Sequence, residues 1–195
     1  MRGKANALPR PGPSCERMAV THRALAELEA GLDTIRAAPR DAGTVALIVR
    51  RPAEDGREVL TAGQLDPDRG LVGDAWTPGD RHGTEDQLTL MNSRVVALLA
   101  GDRERWPLAG DQIYVDFDLS EEALTAGTRL AVGEAVIEIT PLPHKGCAKF
   151  AKRFGHDGLR FVNTPEGRSL RLRGVYARVI TAGLVRPGDS VRRMP

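Results

Sequence analysis

At 195 residues and 41% hydrophobic content the chain can bury one proper core, so a single domain is expected rather than an array. Its 28 basic and 26 acidic residues leave a net charge of only +2, and aromatic residues make up 4%; nucleic acid is therefore not an expected partner. Two cysteines make no disulfide scaffold, no run of about 18 apolar residues spans a bilayer, and Met1-Arg-Gly-Lys is followed by prolines instead of an apolar signal core, so a reducing cytoplasm and no membrane partner are expected.

Residues 1–15 form a Pro/Gly-rich segment, Leu8-Pro-Arg-Pro-Gly-Pro-Ser14 followed by Cys15, which reads as a flexible tail. Within 16–43, Leu25, Leu28, Leu32 and Ile35 recur at helical spacing among Arg and Glu, which predicts an amphipathic surface helix over Glu16–Ala37, ended by Pro39. From residue 44 to 193 the character changes. Thr44–Val49, Gln87–Met91, Gln112–Phe117, Thr128–Val132, Ala135–Thr140, Val175–Ile180 and Ser190–Arg192 are short, β-rich runs separated by Gly, Pro or Asp. Ser93–Ala100 is the longest helical candidate among them, with Ser93 as N-cap, and Gly133-Glu134 reads as a tight hairpin turn. Most gaps lack the helical crossover that parallel strands require. The expected fold is mainly β: a closed or partly open barrel of short strands with peripheral helices.

Chemistry concentrates around Cys147, in Pro141-Leu-Pro-His-Lys-Gly-Cys-Ala-Lys-Phe-Ala-Lys-Arg-Phe-Gly155. Three of the chain's four lysines, Lys145, Lys149 and Lys152, lie within five residues of it, and no Asp or Glu occurs from Ile139 to His156. A thiol acts as nucleophile or metal ligand only as thiolate, and nearby cations or a helix N-terminus stabilise that form. Gly146 followed by Ala-Lys-Phe-Ala-Lys-Arg-Phe predicts a short helix with Cys147 in its first turn, beside an anion-binding site. Equally, Cys147, Phe150, Ala151 and Phe154 have the i, i+3, i+4, i+7 spacing of an apolar stripe, which predicts a packed, inert cysteine. His144 and Cys147 have half the ligands of a zinc site, or the makings of a nucleophile–base pair.

Two further segments carry candidates. Asp80-Arg-His-Gly83, bracketed by Asp74, Glu85 and Asp86, places His82 and Gly83 in a polar loop where Gly83 would let backbone approach a ligand. Arg168-Ser-Leu-Arg-Leu-Arg-Gly174 offers guanidinium forks to phosphate, with Gly174 permitting close approach of an anion; the alternative is a sheet edge whose arginines face water.

In their order these pieces resemble the MOSC family, named for the C-terminal domain of molybdenum cofactor sulfurase. The matching residues are Gly73-Asp74, Asp80-Arg-His-Gly83, Gln87–Asn92, Asp118-Leu-Ser120, Leu124–Gly133, Ile137–Thr140 leading to Cys147, and Arg173–Ile180 with Gly183 and Gly188-Asp189. The resemblance implies a β-barrel domain over about 44–193 with one functional cysteine, Cys147. It implies that Cys147 ligates molybdenum in a molybdopterin cofactor used to reduce N-hydroxylated compounds, or that it carries a persulfide delivered by a pyridoxal-phosphate-dependent cysteine desulfurase. His82, Gly83, His144, Lys145, Lys149 and Arg173 are the implied cofactor contacts. The chain has no iron–sulfur, haem or flavin motif, so electrons would come from a separate electron-transfer protein; lacking the extra N-terminal barrel of longer molybdenum reductases, it would either lack part of their pocket or take it from a second subunit in a homodimer. A non-catalytic anion-binding module is the third reading.

Overall fold

The computed structural model describes residues 22–77, 79 and 83–195. Two short helices come first, α1 (Leu25–Ala30) and α2 (Leu32–Arg36), and Leu28, Leu32 and Ile35 face inward as their spacing predicts. Residues 22–24 are not helical, so α1 begins later than Glu16, where Glu27 accepts a hydrogen bond from the Ala24 amide at 2.9 Å; Glu16–Thr21 and Cys15 lie outside the described residues.

The strands follow in chain order: β1 (Ala42–Arg50), β2 (Glu58–Leu60), β3 (Gly63–Asp66), β4 (Gly70–Leu71), β5 (Leu88–Asn92), β6 (Ile113–Asp116), β7 (Arg129–Val132), β8 (Ala135–Ile139), β9 (Val175–Thr181), β10 (Gly183–Val185) and β11 (Ser190–Arg193). Around the barrel the order is β1, β6, β5, β9, β8, β7, β11, and pairing of β11 with β1 closes it. All seven predicted strands are in this closed ring. The short strands β2, β3, β4 and β10 escape the sequence reading, being Gly-containing or partly exposed runs of two to four residues. Strands β10, β3 and β4 form a separate small sheet, and Leu65, Leu71 and Val185 carry it into the barrel's interior core.

Among the described residues one strand pair, β5 with β6, is parallel, and its crossover is α3 (Ser93–Ala100) plus a 3₁₀ segment, Arg103–Ala109. Both faces of this pair are covered. Leu88, Leu90, Ile113 and Val115 point into the barrel, whereas Met91 and Tyr114 point outward into a second core. That outer core lies under α1, α2, α3 and α4 (Ala148–Asn163), and is filled by Leu28, Val95, Phe150, Phe154 and Phe161. By contrast β8 alternates, with Ala135, Ile137 and Ile139 buried and Glu138 bonded to surface arginines, the pattern of an antiparallel strand with one open face. The hairpin predicted at Gly133-Glu134 joins β7 to β8, with Gly133 at φ +56°.

The cap of α3 is Asn92, not Ser93: its Oδ1 accepts from the Arg94 amide at 2.8 Å and its Nδ2 donates to the Phe117 carbonyl at 3.0 Å. A short helix was expected after Gly146, but α4 runs to Asn163, with a break at Gly155 (φ +80°) that re-aims it, and α5 (Pro165–Ser169) follows.

Candidate functional site

Cys147 is the N-cap of α4 rather than part of its first turn, and its carbonyl accepts from the Ala151 amide at 3.0 Å. This one-residue difference decides its exposure. Phe150 and Phe154 take the buried stripe, Ala151 is half-buried, and the Cys147 thiol is free and exposed. The preceding turn is pinned by Asn163, whose Oδ1 accepts from the Gly146 amide at 3.2 Å while its Nδ2 donates to the Gly146 carbonyl at 3.3 Å. A Cβ on Gly146 would stand 2.7 Å from Leu159, so this glycine serves helix packing.

Cys147 borders a cavity of about 490 Å³ between the barrel's outer wall and the start of α4. Thr89 and Tyr176, opposite one another in the β5–β9 ladder, form its floor, because their inward neighbours Leu88, Leu90, Val175 and Ala177 belong to the interior core. Arg51 enters from the end of β1, Trp76 from the loop after β4, His144 from the β8–α4 loop, and Arg173 from the turn before β9.

Behind this wall lies a buried polar cluster. Asp111 is wholly buried; its Oδ2 accepts from Arg173 at 2.7 Å, and its Oδ1 stands 3.7 Å from His144 Nδ1. Arg173 also donates to the Ala109 carbonyl at 3.1 Å and lies 5.0 Å from the Phe150 ring centre. His144, with a side chain only 7% exposed, stacks on Tyr176 with ring centres 4.4 Å apart. Burial, reinforced by the Arg173 and Arg51 guanidiniums, holds the His144 imidazole well below its ordinary pKa, so it is neutral at pH 7. Burial pushes the Asp111 carboxyl up, against the pull of Arg173. His144 Nδ1, Asp111 Oδ1 and Arg173 Nε find no hydrogen-bond partner among the described residues.

Arg51 is held by Asp74, at 2.9 Å to Oδ1 and 3.0 Å to Oδ2, and by the Gly110 carbonyl at 2.9 Å. Asp74 in turn accepts from the Trp76 amide at 3.1 Å, and Trp76 Nε1 donates to Asp86 at 3.2 Å. The loop acids thus brace the arginine and the tryptophan. Among the described residues no three His, Cys, Asp or Glu side chains are placed to share a metal ion, so the His-x-x-Cys spacing finds no completing ligands there.

The predicted site residues separate into groups. His144, Cys147, Lys149 and Arg173 border the same cavity, whereas Lys145 faces a smaller one of about 160 Å³ on the other side of His144 and Arg173. Gly83 is exposed and borders neither; the nearest atom to a Cβ there would be the Glu85 amide at 3.9 Å. His82 lies outside the described residues. Gly174 serves the fold: at φ +99°, its Cβ would fall 2.2 Å from the Leu90 carbonyl, so the close approach is to β5 and not to an anion. Arg173 is buried in a turn, not displayed on a sheet edge. The acid-free run also meets counter-charges on folding: Lys149 pairs with Glu54 at 2.5 Å and Arg153 with Asp55 at 2.7 Å, both from the β1–β2 loop. Asp111, Arg51, Arg57, Trp76 and Tyr176 also belong to the site, although no motif in the sequence marks them. Only Asp111-Gln112, two polar residues heading a strand that is buried on both faces, offered a signal.

The MOSC domain profile matches residues 78–192. Among solved structures, the YuaD protein from Bacillus subtilis superimposes with a TM-score of 0.59 at 15% identity, covering 77% of this chain and 94% of that one. YiiM from Escherichia coli gives 0.52 at 18% identity over 78% and 70% of the two chains, and YiiM from Geobacillus stearothermophilus 0.51 at 14% over 78% and 73%. No functionally curated protein matches the sequence. At these identities the structural likenesses speak to the barrel alone.

Proposed function

The chain belongs to the MOSC domain family, and from that premise we propose that it binds a molybdenum–pterin cofactor through the Cys147 thiolate and reduces N-hydroxylated small molecules with electrons from a separate protein. The observation that carries this reading is the standing of Cys147 outside the apolar stripe of α4, exposed on the wall of a cavity of about 490 Å³. That volume lies within the range of cofactor pockets. Trp76, Phe150 and Tyr176 offer ring surface to a flat heterocycle, and Arg51, Arg57 and Arg153 offer donors to a phosphate. His144 Nδ1, Asp111 Oδ1 and Arg173 Nε retain hydrogen-bonding capacity beside them. One protein thiolate suits a metal whose other ligands arrive with its cofactor, so these residues fit the group.

When bound, the cofactor would supply the redox chemistry that no side chain of this protein provides. Cleaving the N–O bond of a hydroxylated nitrogen takes up an electron pair and protons and releases water. His144 would orient rather than carry charge: it is neutral, and Asp111 beside Nδ1 would favour the tautomer that leaves Nε2 free to accept a hydrogen bond from a hydroxyl or water in the cavity. A reducing cytoplasm would keep Cys147 free for its role.

Protein made in a host with a working molybdopterin pathway is expected to co-purify with molybdenum, and Cys147→Ser to lose it. Elemental analysis finding no molybdenum in either protein removes the reading. The exposure of Cys147 also supports a second one, a sulfur carrier whose thiolate takes sulfane sulfur from a cysteine desulfurase. Mass spectrometry after incubation with such an enzyme and cysteine would then find a sulfur atom added at Cys147, and an unchanged mass counts against it.

A further inference from the structure

Beside the thiol cavity opens a groove of about 710 Å³, and Asp55, Arg57, Lys149 and Arg153 border both. The groove adds Arg105 and Lys152 to these, so among the described residues five basic side chains line it against one acid. Asp55 pairs with Arg153 at 2.7 Å, and Lys149 pairs with Glu54 at 2.5 Å. Arg57, Arg105 and Lys152 are left without a carboxylate partner among the described residues. Backbone carbonyls orient the two guanidiniums without discharging them: Arg57 donates to Gly56 at 2.5 Å and Pro107 at 3.2 Å, and Arg105 to Arg153 at 3.2 Å. Burial, with the nearby Arg153 and Arg51, pushes Arg57 down from the ordinary arginine value.

Like charges gathered in a partly desolvated groove repel one another, and an anion with several charges relieves that repulsion. In a protein whose net charge is only +2, such an excess is local. Guanidinium forks match phosphate oxygens, and a diphosphate spreads its oxygens over two centres, while the three unpaired cations reach the groove from three segments: Arg57 from the β1–β2 loop, Arg105 from the 3₁₀ segment and Lys152 from α4. Leu108, 37% exposed, and His22 add apolar and ring surface for a group esterified to it.

We propose that this groove binds a diphosphate-bearing ligand, with Arg57, Arg105 and Lys152 contacting the phosphate oxygens. The ligand would lie beside the thiol cavity along the rim made by Arg57 and Arg153. The site uses no thiol and does not depend on the molybdenum reading.

Calorimetric titration of the purified protein with pyrophosphate, ADP and sulfate at one ionic strength tests it. Pyrophosphate and ADP are expected to bind, and sulfate to bind at least about tenfold more weakly. The double variant Arg105→Gln/Lys152→Gln is expected to weaken pyrophosphate by about tenfold or more, with an unchanged unfolding midpoint as the check on folding. Arg160→Gln, which removes an exposed cation beyond the break in α4, should alter binding by less than about twofold. Cys147→Ser should bind pyrophosphate like the wild type, so failure of this site and failure of the molybdenum reading are told apart. The proposal is overturned if millimolar pyrophosphate gives no binding, if sulfate binds as well, if ADP is excluded, or if the double variant and Arg160→Gln weaken binding equally.

Discussion

His144 ties the stability of the site to pH. In the unfolded chain its imidazole gains a proton near the ordinary value of 6.5, but in the fold, where burial and two guanidiniums oppose the charge, only at lower pH. Between those values the unfolded state binds more protons, so the contribution of His144 is present above about pH 6.5 and lost as pH falls toward the folded value. Asp111, pushed up by burial, acts with the opposite sign, its contribution being lost as pH rises through its folded value. Comparison with His144→Gln therefore isolates the imidazole. The wild type should lose more stability than this variant between about pH 7.5 and about pH 5.5, read as denaturation midpoints. Parallel pH profiles for the two proteins would mean that His144 is not buried neutral. Cys147 teaches a related lesson at this scale. Both predicted environments, apolar stripe and cationic run, lie in its neighbours; the cap position turns the thiol out of the stripe, while Glu54 and Asp55 meet two cations of the run.

At the scale of elements, hydrophobic pattern located what packing then used. The seven barrel strands, α3 and the α1–α2 face were legible because apolar residues recur with the right period. Ends and caps were less so. Asn92 caps α3 because its amide can reach both the Arg94 N–H and the Phe117 carbonyl of the chain beside it, a partner invisible to local reading. Gly174 looked like a ligand contact because any glycine permits close approach, and only the fold names the atom that approaches, the Leu90 carbonyl. Gly174→Ala combines that clash with a left-handed φ and is expected to cost about 3 kcal/mol or more, measured by urea denaturation. A loss within about 0.5 kcal/mol would contradict the β5–β9 geometry.

For the whole molecule, closure is the governing feature. The register Ala42↔Arg192 to Thr44↔Ser190 joins β1 to β11, and Val191↔Val132 joins β11 to β7, so the last strand seals the ring. Deleting residues 190–195 would bare two strand edges and unseat the buried Val191. The truncated chain is expected to melt without a sharp thermal transition and to aggregate; a cooperative melt without aggregation would refute the role of closure. Among the described residues no helix is long and apolar enough to cross a membrane.

The sequence by itself determined the β-rich class, the ordered motifs of the family and the prominence of Cys147, because periodicity and motif order are local properties of the chain. Only the tertiary structure decided the electrostatics of the site. It brought Glu54 and Asp55 to a run that holds no acid of its own, buried Asp111 against Arg173 and His144, and gathered Arg57, Arg105 and Lys152 without a carboxylate partner among the described residues. The reason is physical: Coulomb interactions act through space, and the partners of Arg173, Lys149 and Arg153 lie 62, 95 and 98 positions away along the chain.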